Sequence, residues 1–310
     1  MRKILLLGGN GFIGKYIANE LALNKENEVI IADRHIDENL KLKNISFKKI
    51  NFVNCDDFSS FLDGVDTVVH LISTINPSDD ISNIEKEIQE NIFPTLKLLE
   101  NMSQCHTRKI VFVSSGGTIY GEHSKGSISE ITRTNPICNY GILKDLIEKY
   151  LFMFHHYHGI EYKVIRLSNP YSEITKSGKS QGIIPIFIDQ LLNNEVVNVW
   201  GNGEDVRDYI YINDAISAIV KIINYDGKTN VFNVGTGIGH TVNEVLNMLI
   251  QKLNIESPNI CYKNSRKCDV KNNVLDIKKI SKTLNWVPEV SLEDGIDRVI
   301  RKKIKRGDLK

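Results

Sequence analysis

The chain has few of the features that mark secreted, membrane-spanning or nucleic-acid-binding proteins. Its 310 residues include five widely scattered cysteines that never form a Cys-x-x-Cys motif, which argues against a disulfide framework and against a structural zinc site. Lys and Arg number 39 against 38 Asp and Glu, so the net charge of +1 provides no general attraction for nucleic acid or an anionic membrane. No apolar run approaches the roughly 18 residues that a membrane span needs.

The N-terminus also lacks the apolar core of a signal peptide, because only Ile4–Leu7 separate the basic pair Arg2-Lys3 from Gly8. We therefore expect a cytoplasmic protein with reduced thiols, no bound metal, and neither a nucleic-acid nor a membrane partner. Any anion that it binds must be held by a local site.

Short apolar runs alternate with longer helical patterns in the first half, which is typical of βαβ units and a parallel sheet. The predicted strands are Lys3–Leu7, Glu28–Ala32, Ser46–Ile50, Thr67–Leu71, Lys109–Val113 and Tyr162–Leu167, and the predicted helices are Gly11–Leu23, Asp56–Leu62, Asp80–Met102 and Asn139–His158. The pattern predicts an α/β, Rossmann-type doubly wound parallel sheet over residues 1–170. A smaller α/β substrate-binding domain is expected over 171–310, with interleaving of segments between the two.

A glycine-rich segment follows the first strand directly. Gly8 permits a tight turn, Gly11 lets the backbone approach a pyrophosphate, and Gly14 allows close packing of helix and strand. Phe12 and Ile13 open the helix whose N-terminus would face the anion. The loop predicts a dinucleotide site.

The second strand ends at Asp33, 19 residues after Gly14, where a carboxylate can accept both hydroxyls of an adenosine ribose. Asp33 would repel a 2′-phosphate, whereas Arg34 beside it can pair with one. NAD is therefore favoured over NADP as the cofactor.

Tyr140 and Lys144 lie four residues apart in a predicted helix, so both side chains share one face. A nearby ammonium would lower the pKa of the tyrosine and make its phenolate a base for a sugar or alcohol hydroxyl. The hydroxyl-rich segment Ser114–Gly121 follows the strand Lys109–Val113, at the edge of the sheet where ligands bind in doubly wound folds.

With these motifs, the sequence resembles an extended short-chain dehydrogenase/reductase of the NAD-dependent epimerase/dehydratase family, close to the nucleotide-sugar 4-epimerases. The resemblance implies a Ser/Thr–Tyr–Lys triad in which Tyr140 is the acid/base and Lys144 holds the nicotinamide ribose. Gly116 occupies the usual Ser/Thr position. Thr118 and Ser115 are the hydroxyls that can substitute for it, and we narrowly favour Thr118.

The same resemblance implies further cofactor contacts. Leu71, Ile72 and Ser73 match the segment under the adenine and pyrophosphate, and Asn91 matches a helix asparagine that braces the active-site loop. Asn51 stands where an aspartate commonly contacts the adenine.

In the second half, the resemblance implies a site for a nucleotide-diphosphate sugar. It assigns Arg207 and Arg266 to the diphosphate and Asn169 to a phosphate or sugar oxygen. Asn273 matches a position where a bulky tyrosine limits the C2 substituent of the sugar in some epimerases.

Two reactions fit all of these residues: 4-epimerisation through a transient 4-keto sugar, in the synthesis of surface-polysaccharide precursors, and NAD(P)H-dependent reduction of a nucleotide-linked 4-keto-6-deoxyhexose. A 4,6-dehydratase is disfavoured because Gly117-Thr118 replaces the Asp-Glu pair of that branch. A non-catalytic dinucleotide sensor would not need Tyr140 and Lys144. The family commonly dimerises through a four-helix bundle, which implies a homodimer built on the two long helices.

Overall fold

The computed structural model of the chain describes residues 1–36, 43–77, 83–123, 126–172 and 182–305. These residues form two compact units. The first unit lies within Met1–Ile119, Thr134–Arg166 and Ile216–Phe232, and the second within Tyr120–Arg133, Leu167–Ala215 and Asn233–Lys310. The chain therefore enters each unit more than once. That the first domain binds a dinucleotide and the second a substrate stays a prediction.

The first unit is organised by a parallel sheet. Its strands are β1 Arg2–Leu7, β2 Asn27–Asp33, β3 Ile45–Lys49, β4 Thr67–His70, β5 Lys109–Ser115 and β6 Glu161–Leu167. With β10 Val231–Val234 the order is β10-β6-β5-β4-β1-β2-β3. Strands β2 and β3 are therefore added on one side of β1, and β4 and the later strands on the other, so the order of the strands reverses between β1 and β4. In such a sheet ligands bind beyond the carboxyl ends of the strands at this reversal.

The central strands are almost entirely apolar because helices cover the sheet. All seven residues of β5 are buried, and Ile4–Leu7 of β1 have no exposed surface. The helices of this unit are α1 Phe12–Ala22, α2 Ser59–Leu62, α3 Ile84–Gln104, α4 Asn139–His158 and α6 Ile212–Ile223, the last of which begins in the second unit. Helix α4 ends at Gly159, which adopts a left-handed conformation at φ +67°.

The second unit contains shorter strands. Strand β9 Val206–Tyr211 pairs with β7 Asn169–Tyr171, β11 Gly239–Thr241 and β13 Asn272–Asn273, while β8 Val197–Trp200 pairs with β12 Ile260–Lys263. Its helices are α5 Ile183–Leu192, α7 Val242–Lys252, α8 Lys278–Leu284 and α9 Leu292–Lys305. Thr241 and Glu244 form a reciprocal capping box at the start of α7.

The predicted fold class is confirmed, since six predicted strands occur in one parallel sheet within two residues of their predicted ends. Helix α2 is shorter than predicted and begins at Ser59, because Asp57 forms a turn there by accepting a hydrogen bond from the Ser59 N–H at 2.9 Å. The predicted start of α3, Asp80, lies outside the described residues. No helix among the described residues is long and apolar enough to cross a membrane.

Candidate active site

The glycine loop joins β1 to α1 with little free space. Gly8 has φ +82°, a left-handed conformation that favours glycine. A Cβ at Gly14 would lie 2.6 Å from both the Gly8 oxygen and the Gly9 Cα, whereas a Cβ at the exposed Gly11 would meet only the Gly8 oxygen, at 3.1 Å. Gly14 therefore allows close packing of α1 on the loop backbone, whereas Gly11 leaves the N-terminus of α1 uncovered.

Asp33 stands at the end of β2, facing this loop. Its carboxylate accepts the backbone N–H of Asn10 at 3.1 Å and that of His35 at 3.4 Å. A cavity of about 500 Å³ is lined by the predicted residues Arg34, Asn51 and Ser73, together with Val53, Asn54, Thr74, Lys86 and Glu90. A glycine cradle, an acceptor carboxylate and a polar cavity are the features that an adenine dinucleotide requires, so these residues fit the implied cofactor.

The segment after β4 closes against the glycine loop. The Leu71 N–H donates to the Leu7 oxygen at 3.0 Å. Ile72 packs tightly against Gly8, since a Cβ at Gly8 would lie 2.9 Å from the Ile72 side chain. Asn91 of α3 braces the same segment by accepting the Thr74 N–H at 3.0 Å and donating to the Thr74 hydroxyl at 2.8 Å.

The predicted acid/base pair lies at the start of α4. Lys144 is 5% exposed, and its Nζ donates to the Val113 oxygen at 3.0 Å. The same Nζ lies 4.7 Å from the centre of the Phe112 ring and 5.5 Å from that of Tyr140. The structure thus brings both residues to the end of β5.

The pKa of Tyr140 differs from the sequence-based expectation. The pKa of Tyr140 is raised to about 12: burial raises it most, the negative charge of a Cys138 thiolate would also raise it, and a hydrogen bond with Ser115 lowers it. Burial also lowers the pKa of Lys144 to about 8, against the attraction of Glu148. The pKa of Tyr140 is therefore raised in this structure, where the sequence predicted that Lys144 would lower it.

The two candidate hydroxyls differ in their contacts. Ser115, the last residue of β5, is buried and hydrogen-bonded to Tyr140. The Thr118 hydroxyl is buried as well, but it has no hydrogen-bond partner among the residues that the structure describes. The geometry favours Ser115 over Thr118 as the hydroxyl that assists Tyr140, although the sequence favoured the reverse.

Sequence reasoning did not predict that three polar side chains near this pair are connected to one another. Ser114, Glu148 and Arg166 are each less than 9% exposed and hydrogen-bonded to one another through the Glu148 carboxylate. A signal was available, because Glu148 follows Lys144 by one helical turn and so falls on the same face.

In the second unit, three of the four predicted substrate residues meet at β9. Arg207 is its second residue, Asn273 of β13 is the register partner of Arg207, and Asn169 donates to the Asp208 oxygen at 2.9 Å. Asn273 is fully buried. The Asp208 carboxylate accepts hydrogen bonds from the backbone and hydroxyl of Thr236 and from two further N–H groups, so it anchors the sheet.

Arg266, the fourth predicted substrate residue, occupies a different setting. Its guanidinium lies 5.1 Å from the centre of the half-exposed Trp200 ring and pairs with Asp269 at 3.0 Å. Arg207 likewise has an acidic neighbour, Asp205, at 3.6 Å.

Comparisons with known proteins identify the family of the chain. A family model described as the NAD dependent epimerase/dehydratase family matches residues 4–235. A putative UDP-glucose 4-epimerase of Methanocaldococcus jannaschii is 35% identical over 96% of the chain and 97% of its own length. A dTDP-4-dehydro-6-deoxyglucose reductase of Escherichia coli is 32% identical over 96% of each chain.

A solved structure shows the same architecture. The UDP-glucose 4-epimerase of Thermotoga maritima, determined with UDP-glucose, superposes with a TM-score of 0.87 at 31% identity, covering 97% of this chain and 99% of its own.

Proposed function

Because the chain belongs to the NAD-dependent epimerase/dehydratase family, and is an enzyme of that family with NAD as its cofactor, we propose that it is a nucleotide-sugar 4-epimerase. The observation that carries the proposal is the arrangement at the end of β5, where Tyr140 is hydrogen-bonded to Ser115 and shares a helix face with Lys144. The carboxyl ends of β1 and β5 lie at one edge of the parallel sheet, so this pair and the glycine loop share that edge.

The proposed cofactor contacts combine the geometry above with what the family resemblance implies. Gly11 and the N-terminus of α1 would hold the pyrophosphate, Asp33 the adenosine ribose, and Lys144 the nicotinamide ribose. NAD, when bound there, supplies a reversible hydride acceptor. The acidic Asp33 favours NAD over its 2′-phosphorylated form.

Tyr140, in its phenolate form, would remove the proton of the sugar 4-hydroxyl as C4 is oxidised to a ketone, and it would return that proton as C4 is reduced again on its other face. The reaction has no net redox change. Ser115 stabilises the phenolate by its hydrogen bond, and the Lys144 ammonium adds a positive charge nearby. In the second unit, Arg207 and Arg266 would bind the diphosphate, Asn169 a phosphate or sugar oxygen, and Asn273 would leave space for a C2 substituent.

The relative from Escherichia coli favours one alternative, the reduction of a nucleotide-linked 4-keto-6-deoxyhexose by the same residues. A reductase would release oxidised cofactor at each turnover, whereas an epimerase regenerates it. The distant alternative of a non-catalytic dinucleotide sensor gives no purpose to the buried Lys144 beside Tyr140.

The first experiment measures the cofactor released from the purified, denatured protein by mass spectrometry and absorbance. It then follows UDP-glucose, UDP-N-acetylglucosamine and dTDP-glucose by chromatography. Stoichiometric NAD and interconversion at C4 without net NADH are expected. Oxidation of added NADH or NADPH only with dTDP-4-keto-6-deoxyglucose would establish the reductase instead, and inactivity with all of these sugars would contradict both enzymes.

We also propose a homodimer located in the cytoplasm and supplying precursors of surface polysaccharide. Helices α3 and α4 both present large exposed apolar side chains, including Phe93 and Phe152, at 59% and 60% exposure. Such side chains are costly to leave in water on an isolated chain. Light scattering during gel filtration should give the dimer mass, and Phe152→Glu should shift it toward the monomer; a monomer at micromolar concentration would contradict the proposal.

A further inference from the structure

A buried ion pair lies below the predicted acid/base residues. The Glu148 carboxylate accepts hydrogen bonds from the guanidinium of Arg166. The Nε atom of Arg166 lies 3.2 Å from each carboxylate oxygen, and Nη2 lies 2.6 Å from Oε2. The Ser114 hydroxyl donates to the same carboxylate at 2.6 Å. Glu148 and Arg166 are each 6% exposed, so the carboxylate is almost fully desolvated and held by three groups.

The pair is attached to the residues that hold the site. Tyr140, Lys144 and Glu148 follow one another at intervals of four residues on α4, and therefore lie on one face of the helix. On β5, Ser114 lies between Val113, whose oxygen accepts the Lys144 ammonium, and Ser115, which is hydrogen-bonded to Tyr140. The Glu148 carboxylate thus connects α4, β5 and β6 close to Tyr140 and Lys144.

Stability alone does not account for a charged pair at this place. Desolvating two charges costs several kcal/mol per ion, and apolar residues of similar volume often stabilise such a position as well or better. A buried charge does, however, favour the oppositely charged form of a second ionisable group buried beside it.

We propose that Glu148, held by Arg166 and Ser114, is a positioning residue that maintains the positive charge of Lys144, one helical turn away on the same face of α4. Its importance for turnover rests on the proposed function. The effect of Glu148 on the charge of Lys144 does not depend on which reaction the protein performs.

The charged and titratable neighbours of Lys144 come from three elements. On α4, Glu148 attracts the ammonium, whereas Tyr140 is neutral because burial raises its pKa to about 12. On β4, His70 is neutral because burial and Lys144 lower its pKa to about 3. On β6, Arg166 faces Glu148. Glu148 therefore provides the negative charge that opposes the desolvation of Lys144.

The test is an NMR titration of the intact protein labelled with 13Cε-lysine, with the Lys144 signal assigned by its loss in Lys144→Arg. Glu148→Gln keeps an acceptor for Ser114 but removes the charge, and it should lower the titration midpoint of Lys144 by about one pH unit or more. Glu148→Asp keeps the charge and should stay nearer to the native midpoint. The matched control is Asp145→Asn, which removes the carboxylate that pairs with Lys149 on the same helix and should leave the midpoint unchanged.

Glu148→Gln leaves Arg166 buried without its charged partner, so the double variant Glu148→Gln/Arg166→Gln is measured in parallel as a neutral pair that retains polar contacts. It should also lower the Lys144 midpoint, by less than the single variant does. A midpoint within about 0.2 pH units of the native value in whichever of these variants folds would overturn the proposal.

Turnover is measured separately, with the sugar nucleotides named above. If the native chain interconverts them, the alkaline limb of its pH profile should move to lower pH in Glu148→Gln in step with the NMR midpoint. A chain that fails to epimerise any sugar but shows the Lys144 shift would refute the proposed function while retaining the role of Glu148.

Discussion

The Lys144 ammonium donates to the backbone oxygen of Val113 at 3.0 Å and lies 5.5 Å from the centre of the Tyr140 ring. A main-chain carbonyl on a fully buried strand is a fixed acceptor, so the position of this cation does not depend on the tyrosine hydroxyl. The two side chains can therefore be altered separately, and each should have its own effect on binding and on proton transfer.

Tyr140→Phe removes only the hydroxyl and keeps the ring packed against the hydrophobic core. Turnover of the active sugar nucleotide should fall by roughly 10²–10⁴, the usual contribution of a general acid/base, while the amount of NAD released on denaturation stays the same. Tyr150→Phe, the same change on the same helix, is the control and should retain native turnover. An undiminished rate in Tyr140→Phe would refute its assignment as the acid/base.

The third member of the triad can be identified by a pair of substitutions. Ser115→Ala removes the hydroxyl that stabilises the Tyr140 phenolate, so turnover should fall about tenfold or more, and the acid limb of the pH profile should move to higher pH. Thr118→Val removes a buried hydroxyl that lacks a partner among the described residues, so its effect on turnover should be smaller. A larger loss in Thr118→Val would assign the role to Thr118.

These hydroxyls show where sequence reasoning reaches its limit. The positions of the glycine loop, Asp33 and the pair Tyr140/Lys144 were predictable because they depend on short spacings along a strand, a turn or a helix. The choice between Ser115 and Thr118 depends on where the end of β5 and the segment after it place two side chains that are three residues apart. No periodicity determines that placement.

The electrostatics of the site were less predictable for a different reason. Arg166 follows Glu148 by 18 positions and meets it only because β6 packs beside β5 under α4. The raised pKa of Tyr140 depends on how the surrounding elements desolvate its hydroxyl, which a local motif does not contain. The seven-stranded sheet was predictable because its apolar runs are continuous, whereas the short strands around β9 carry no such signal.

The two glycines at the start of α1 should respond differently to the same substitution. Gly14→Ala places a Cβ 2.6 Å from backbone atoms of Gly8 and Gly9, so it should lower the free energy of unfolding by about 1–3 kcal/mol. Gly11→Ala adds a methyl group at an exposed position, so stability should change little while NAD affinity falls by about tenfold or more. Urea unfolding and calorimetric titration with NAD distinguish the two; equal effects on both quantities would contradict separate roles for packing and ligand approach.

His70 should make the fold sensitive to mild acid. Its Nε2 lies 3.1 Å from the Thr95 hydroxyl, which itself donates to the Asn91 oxygen, and its Nδ1 accepts the Ile72 N–H at 3.3 Å. These contacts satisfy the neutral imidazole, and burial lowers its pKa from 6.5 to about 3. Since the unfolded chain binds the proton more readily, the contribution of His70 to stability is complete above pH 6.5 and is lost progressively as the pH falls toward 3.

Between pH 7 and pH 5, this single group should lower the free energy of unfolding by about 2 kcal/mol. His70→Asn carries no titrating group, so its unfolding free energy should fall less over the same interval, whatever its value at pH 7. The control is His106→Gln, an exposed histidine whose removal should leave the native pH dependence intact. Urea unfolding at the two pH values measures all three proteins, and an equal pH dependence in His70→Asn and the native chain would show that His70 is already protonated or equally accessible in the folded state.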